Sequence, residues 1–322
     1  MAIDHFRNLV KDDFDAVNAL IIEKTHSQVS LIDQLTDHIV QSGGKRLRPL
    51  LVLLASRACN YTGADHIKLA TMIEFFHTAT LLHDDVIDES SLRRGKKTAN
   101  QIWGSKASIL VGDFLFTQYM QLMINVGNMS IMRLLTDISY EIGRGEIQQL
   151  SNRHNCALTV NEYFDVIRSK TSLLFAASAR IGAMLAEAEE QHCDSLFNFG
   201  LHLGNAFQLI DDTLDYCSDS LTLGKNIGDD LADGKATLPL IYALQKGSSE
   251  QKERIKSSIE QGSLEYLAEI IDIIKNSGAI EYTRTVAAAE VDKAILALEK
   301  LPDSTYKQGL LKFAQYAITR DH

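Results

Sequence analysis

Six aspartates in two identical arrangements carry the chemistry this chain can do. Asp84, Asp85 and Asp88 lie in His-Asp-Asp-Val-Ile-Asp-Glu, and Asp211, Asp212 and Asp215 in Gln-Leu-Ile-Asp-Asp-Thr-Leu-Asp-Tyr. Each set follows an apolar stretch with helical spacing. On a helix, positions i, i+1 and i+4 put three carboxylates on nearly one face. Charges that close repel and raise one another's pKa. Such clusters suit hard divalent cations, and Mg²⁺ in particular keeps water and substrate phosphates in its shell. Two clusters facing each other would hold several metals around a diphosphate. A solvated acidic face is the plain alternative for one cluster; two clusters on otherwise apolar helices make it a poor account.

Cations accompany the acids. Asp84, Asp85, Asp88 and Glu89 crowd the C-terminal end of their helix, where the macrodipole disfavours anions. Metal ions, or the run Arg93, Arg94, Lys96 and Lys97 just beyond, would compensate. Arginine is the better fork for phosphate oxygens. In the second motif Gln208, Asp211, Asp212 and Asp215 share a polar stripe beside Leu203, Phe207, Ile210 and Leu214. Gly43-Gly44-Lys45-Arg46-Leu47-Arg48-Pro49 combines close backbone approach with three cations at a helix start, which suits an anion. His77 sits about two turns before Asp84, where a lone histidine is more often structural than catalytic. Lys170-Thr171 interrupts an amphipathic helix, and Gly224-Lys225 and Asp233-Gly234-Lys235 add lysines after the second motif. Each of these alone reads equally well as solvated surface.

The elements that must position these groups are helices. The chain has 322 residues, of which 45% are hydrophobic, enough for a large core. Three prolines, Pro49, Pro239 and Pro302, fall near helix starts, and no run of alternating strands is visible. The periodicity predicts helices over 10–41, 46–60, 64–89, 96–104, 106–128, 130–152, 159–185, 189–216, 235–246, 249–261, 263–277, 279–297 and 303–319. With no linker between the motifs, residues 1–322 read as a single all-α domain, a large helical bundle with a central cavity. Residues 218–234, rich in Gly and Asp, read as a flap after the second motif, or as an ordinary surface loop. Phe114 to Met132 is uncharged and nearly spans a bilayer, but its Gln and Asn residues favour a helix buried in the bundle. The net charge of −10 argues against nucleic acid. Cys59, Cys156, Cys193 and Cys217 lack paired spacing and suit a reducing, cytoplasmic setting. The N-terminus does not resemble a signal peptide.

Taken in order, Gly-Gly-Lys-Arg-Leu-Arg-Pro, His77, the first Asp motif with Arg93-Arg94-Gly95, Lys170-Thr171, Gln208 with the second Asp motif, and Asp-Gly-Lys-Ala-Thr-Leu-Pro resemble the trans-type isoprenyl diphosphate synthases. The resemblance covers nearly the whole chain and looks most like the bacterial octaprenyl diphosphate synthases, which make quinone side chains. It implies an isoprenoid-synthase fold and Lys45, Arg48, His77 and Arg94 around isopentenyl diphosphate. Arg93, Lys170, Thr171, Gln208 and Lys225 would hold the allylic diphosphate, and Lys235 would join the substrate-binding set. Asp84, Asp88 and Asp211 would be the principal Mg²⁺ ligands, about three ions binding with substrate, and Asp85, Asp212 and Asp215 would support them. The resemblance also implies a two-fold homodimer, one face of the uncharged helix being buried in it, with at most peripheral membrane contact during product release.

The growing chain is expected to run along the first motif helix, past residues spaced about 5.4 Å apart. These are Thr80, Phe76 and Met72, with Ala79 beside Thr80. Aromatic residues near positions 79 and 80 give short products in that family, so the small residues here predict a product beyond C15, and the resemblance to octaprenyl synthases implies one near C40. Met120 and Met123 are the candidates for the tunnel floor, ahead of Phe116. Competing readings are a shorter-chain synthase of C15–C25 products, a terpene cyclase, a metal-dependent phosphohydrolase and a non-catalytic helical subunit. The phosphohydrolase would need further histidine ligands, the cyclase leaves Lys45, Arg48 and His77 unexplained, and the intact Asp clusters oppose the subunit.

Overall fold

The computed structural model describes residues 2–41, 44–217 and 227–319. Among them the only strands form one short ribbon, in agreement with the all-α expectation. Two compact units emerge, residues 1–137, 174–200 and 297–313 in one and residues 138–173, 201–296 and 314–322 in the other. The chain passes between them inside helices rather than through a linker.

The first unit opens with α1 (Ala2–Leu9), α2 (Lys11–Thr25), α3 (Ser30–Gln41) and α4 (Leu47–Ala58). Leu50, Leu51, Val52, Leu53, Leu54 and Ala55 are consecutive and all fully buried. A helix apolar all round belongs at a core centre, and α4 occupies it. Pro49 lies in its first turn, where a missing N–H costs nothing. Next comes α5 (Asp65–Ile87), then the ribbon β1 (Leu92–Arg93) with β2 (Lys96–Lys97), α6 (Ala99–Trp103) and α7 (Ser105–Val126). Ser108 on α7 donates to the Leu82 carbonyl of α5 at 3.0 Å, within a long packed contact between the two helices.

The second unit takes the end of α8 (Met129–Ser151), then α9 (Val160–Ile167) and a π-turn at Arg168–Ser172 that leads into α10 (Leu173–Leu185). Thr159 and Glu162 close a capping box at the start of α9. After α11 (Glu190–Cys217) come α12 (Asp229–Ala232), α13 (Leu238–Lys246), α14 (Ser249–Gln261), α15 (Leu267–Asn276) and α16 (Ala279–Ala297), before α17 (Thr305–Thr319). Leu209, Leu231, Leu238, Ile255, Ile259, Ile270 and Ile274 form the core of this unit.

Four stretches depart from expectation. The helix expected over 10–41 is interrupted after Thr25, where the Asp33 side chain captures the Ser27 N–H at 2.7 Å. Local capture of this kind competes with helical bonding. The helix expected over 96–104 begins instead as a hairpin, because Arg94 (φ 54°) and Gly95 (φ 74°) both adopt the left-handed conformation of a type I′ turn. The break expected between the helices over 106–128 and 130–152 falls at Gly127, which turns left-handed (φ 68°) and ends α7, but α7 is not buried on all sides as expected, since Leu110 is 67% and Ile124 62% exposed. Finally, the helices expected from 235 and 263 start at Leu238 and Leu267, Pro239 standing in the first turn of α13.

Candidate active site

In the first unit, one face of α5 organises the chemistry. Glu74, His77, Thr78 and Leu81 follow helical spacing and line a small cavity open to solvent. Asp84 lies seven residues beyond His77, and Asp88 seven beyond Leu81, so both carboxylates continue this stripe. They are half-buried, whereas Asp85, seven residues beyond Thr78 on the same stripe, is buried. Arg93 clasps Asp85: its Nε donates to Oδ1 at 2.9 Å and to Oδ2 at 3.2 Å, and its Nη2 to Oδ1 at 2.7 Å. Asn100 Nδ2 donates to the Asp85 carbonyl at 2.9 Å and steadies the same turn.

Cations fill the other side of that cavity. Arg46 and Arg94 both reach it, each from a left-handed backbone (φ 47° and 54°) that a bulky residue adopts at a cost. A methyl group on Gly44 would stand 2.9 Å from Arg94 Nη1, so glycine is what lets this guanidinium lie against the backbone. Arg48 Nη1 donates to His77 Nε2 at 3.1 Å, and the Arg48 guanidinium rests 4.4 Å from the Phe175 ring centre. Burial, with Arg48, Arg94 and Arg93 nearby, holds His77 well below the usual histidine range. It is a neutral acceptor here. Burial also pushes the Glu74 carboxyl up, opposed by Arg46, Arg48 and Arg94. Arg46 and Arg94 beside one carboxyl give the cavity a positive character that suits an anion.

Within the second unit, the acids of α11 are sorted in the same manner. Asp211 is exposed, whereas Asp212 and Asp215 are buried. Tyr163 donates to Asp212 Oδ2 at 2.5 Å, and Gln208 Nε2 donates to Oδ1 at 2.8 Å. Thr171 Oγ1 donates in turn to Gln208 Oε1 at 2.7 Å. Burial and the neighbouring Asp230 push Asp212 up to about 8, against the pull of the Tyr163 and Gln208 donors. The Asp230 N–H points at Asp215 Oδ2, 3.4 Å away. Lys170 reaches Glu146 Oε2 and Gln149 Oε1 on α8, each at 2.9 Å. The π-turn that carries Lys170 and Thr171 is a local widening of the helix of a kind frequent at functional sites.

This architecture has counterparts. Residues 29–274 match the Polyprenyl synthetase family model. The chain belongs to the polyprenyl synthetase family. This polyprenyl synthetase is 45% identical over 322 residues to the octaprenyl diphosphate synthase of Escherichia coli (strain K12), covering 100% of both chains. It is 44% identical to the geranyl-diphosphate-specific all-trans-nonaprenyl-diphosphate synthase of Rhodobacter capsulatus, covering 99% of each. Its backbone matches a polyprenyl synthase from Caulobacter crescentus CB15, crystallised with calcium and isoprenyl diphosphate, at a TM-score of 0.96 with 40% identity. That match covers 99% of this chain and 98% of the other. The chain is thus a prenyltransferase.

Several residues expected at the polyprenyl synthetase site fall together, and others elsewhere. His77 and Arg94 line the arginine cavity, and Arg48 joins it through His77. The Lys45 carbonyl accepts from Arg7 at 3.3 Å. Lys235 pairs with Asp233 at 2.7 Å. Gly43, Gly224 and Lys225 lie outside the described residues. Phe76 packs on Tyr119 (5.1 Å between ring centres) and on Phe116 (6.0 Å), while Ala79 and Met72 are buried, Thr80 and Met123 half-buried, and Met120 42% exposed. Sequence reasoning missed Glu74, Tyr119 and Tyr163, and found Arg46 only as one of the three cations of the Gly43–Pro49 motif. The spacing of Glu74 from His77, i to i+3, is the signal that would have found it.

The donor set suits a hard cation. Asp84 and Asp88 are half-buried and Asp211 is exposed, while Arg93 bonds Asp85, and Tyr163 and Gln208 bond Asp212. No three His, Cys, Asp or Glu side chains among the described residues gather as a metal cage. A cation held at either acid cluster would complete its shell with water and phosphate oxygens, as Mg²⁺ does.

Proposed function

We propose that the chain adds isopentenyl diphosphate repeatedly to an allylic diphosphate, with farnesyl diphosphate as primer. The product is a long all-trans polyprenyl diphosphate, octaprenyl (C40), for quinone side chains. The observation that carries this reading is the stripe on α5 that joins an arginine-lined cavity to Asp84 and Asp88. Such a stripe pairs an anion site with cation ligands on one rigid element. Full-length similarity to an octaprenyl diphosphate synthase supports the chain length.

In this reading Lys45, Arg46, Arg48, His77 and Arg94 hold the diphosphate of isopentenyl diphosphate, so that its double bond is fixed before attack. Lys170, Thr171, Gln208, Lys225 and Lys235 bind the allylic diphosphate, and Arg93 acts from its bond to Asp85. Asp84, Asp88 and Asp211 hold Mg²⁺, about three ions with substrate bound. Mg²⁺ held by these carboxylates would neutralise charge developing on the departing diphosphate. The allylic C–O bond breaks, the isopentenyl double bond attacks the carbocation, and the released diphosphate takes the proton. No side chain acts as nucleophile. Apolar walls keep water from the carbocation, and Thr80, Ala79 and Phe76 border the path of the growing chain. The aromatic group of Phe76, Phe116 and Tyr119 stands further along that path, before Met123 and Met120.

The family model runs through segments of both compact units, which supports one catalytic domain over residues 1–322. We place the enzyme in the cytoplasm, a reading supported by four free thiols. α7 is long and apolar enough to cross a membrane; its exposed Leu110 and Ile124 instead favour burial against a second copy, as a homodimer. The test is an assay with Mg²⁺, farnesyl diphosphate and labelled isopentenyl diphosphate, products being separated by length. A dominant C40 product is expected. A C15–C25 ladder would overturn the product assignment, and no incorporation by folded protein would overturn the reaction.

A further inference from the structure

Three polar rungs join α11 to the segment that carries Lys170 and Thr171. Asn205 Oδ1 accepts from Ser172 Oγ at 2.6 Å, Gln208 Oε1 from Thr171 Oγ1 at 2.7 Å, and Asp212 Oδ2 from Tyr163 at 2.5 Å. On α11 the positions are i, i+3 and i+7, one face of one helix. Across from it the numbers descend as those on α11 ascend, so the two strips run antiparallel. Gly204 allows the closest approach, since a methyl there would overlap the Ser172 Cα. The lower rungs are tied together: Gln208 Nε2 donates to Asp212 Oδ1 at 2.8 Å.

That tie has a directional consequence. An amide has one accepting end and one donating end. With Asp212 ionised, both its oxygens accept hydrogen bonds, from Tyr163 and from Gln208, and the Gln208 amide accordingly turns its Nε2 toward Asp212 and its Oε1 toward Thr171. The Thr171 hydroxyl proton is thereby committed, and its oxygen lone pairs and rotamer are set. Tyr163, buried and eight residues before Thr171, secures the end of this chain. It touches no residue of the π-turn through a hydrogen bond of its own among those described above.

We propose that Tyr163 is a positioning residue for the allylic diphosphate, acting through Asp212 and Gln208 on the Thr171 hydroxyl. This rests on the prenyl-transfer reading given above. Losing the phenol O–H frees Asp212 to rotate and lets the Gln208 amide flip, so Thr171 loses its fixed acceptor. Binding of the allylic partner weakens while the isopentenyl diphosphate site in the first unit is untouched.

The experiment is a cycle of Tyr163→Phe, Thr171→Val and the double variant in the full-length enzyme, with Mg²⁺, farnesyl diphosphate and isopentenyl diphosphate. KM is measured for each substrate separately, and thermal melting is recorded for every variant. Tyr163→Phe is expected to raise KM for farnesyl diphosphate roughly ten-fold, the usual scale for a lost buried hydrogen bond to a carboxylate. KM for isopentenyl diphosphate should stay within about two-fold. The double variant should be no worse than Thr171→Val alone, because both act along one chain. Multiplying effects, or equal shifts in both KM values, would mean that Tyr163 merely packs, and would overturn the proposal. Tyr163→His, which keeps a shorter ring donor, carries the same cycle if Tyr163→Phe does not fold. Absence of product from wild-type enzyme would condemn the prenyl-transfer reading itself; product from wild type with an unshifted Tyr163→Phe condemns only the relay.

Discussion

Glu290 on α16 offers a prediction whose size follows from its surroundings. The carboxylate is 5% exposed and receives three donors: His202 Nδ1 at 2.8 Å, Asn205 Nδ2 at 2.7 Å and Lys293 Nζ at 2.6 Å. Burial alone would raise its pKa, but the His202, Lys293 and Asn205 donors outweigh burial and hold it at about 2, against an ordinary 4.5. A depressed carboxylate stabilises the fold above its unfolded pKa and loses that contribution as pH falls toward the folded one. At 1.36 kcal/mol per pKa unit, the difference is worth about 3 kcal/mol at pH 7 and about half of that near pH 3. Glu290→Gln removes the ionisation and keeps the shape. Chemical denaturation of both proteins from pH 7 to pH 3, at one protein concentration, should show the variant about 2–3 kcal/mol less stable at pH 7. The gap should close toward half by pH 3. A gap of constant size across this range would refute the assignment, because only the ionised carboxylate carries the stabilisation. Lys293 is half exposed, so Lys293→Ala should cost below about 1 kcal/mol. The variant should also disturb Lys170 and Thr171, since Asn205 links Glu290 to Ser172 of the π-turn.

Further perturbations test other parts of the site. Gly145→Ala and Gly204→Ala would press a methyl into Ser169 and Ser172 of the π-turn; each should cost about 1–3 kcal/mol in urea denaturation despite a helix-propensity gain near 1 kcal/mol, and a net gain in stability would refute the close packing. His77 stays neutral at pH 7, held low by burial and by its arginine neighbours. KM for isopentenyl diphosphate should therefore show no inflection from His77 between pH 6 and 8, and His77→Gln, which keeps an acceptor for Arg48, should alter that KM by less than about three-fold. Ala79→Tyr places a ring at a buried position of α5, three residues from buried Phe76; mass spectrometry should find shorter products, and unchanged length would remove the tunnel path.

Much of this was legible in the residues. The helical periodicity alone sets α5, α7, α8, α11 and α16 close to their expected limits, because an apolar stripe at period 3.6 has no other low-energy use. The two Asp motifs, spaced for one helix face, announce oxygen-donor chemistry without a fold. The breaks were harder to see. Asp33 capturing Ser27 and Arg94 turning left-handed beside Gly95 are local events that periodicity averages away.

The sequence by itself determined which residue types share a face, since the helix repeat converts spacing into direction. Only the tertiary structure decided what each carboxylate does. Asp84, Asp85 and Asp88 are chemically equal in the chain, yet Arg93 claims Asp85, which is buried, while the other two are half-buried. Asp211 and Asp212 are adjacent, yet one is exposed while the other is buried between Tyr163 and Gln208. Glu74 and Arg46 gain their place from a cavity assembled by α2, α3, α5 and the β1–β2 hairpin, segments far apart in sequence. The strength of a charge depends on the dielectric and the partners around it, and both are supplied by residues that the local sequence does not contain.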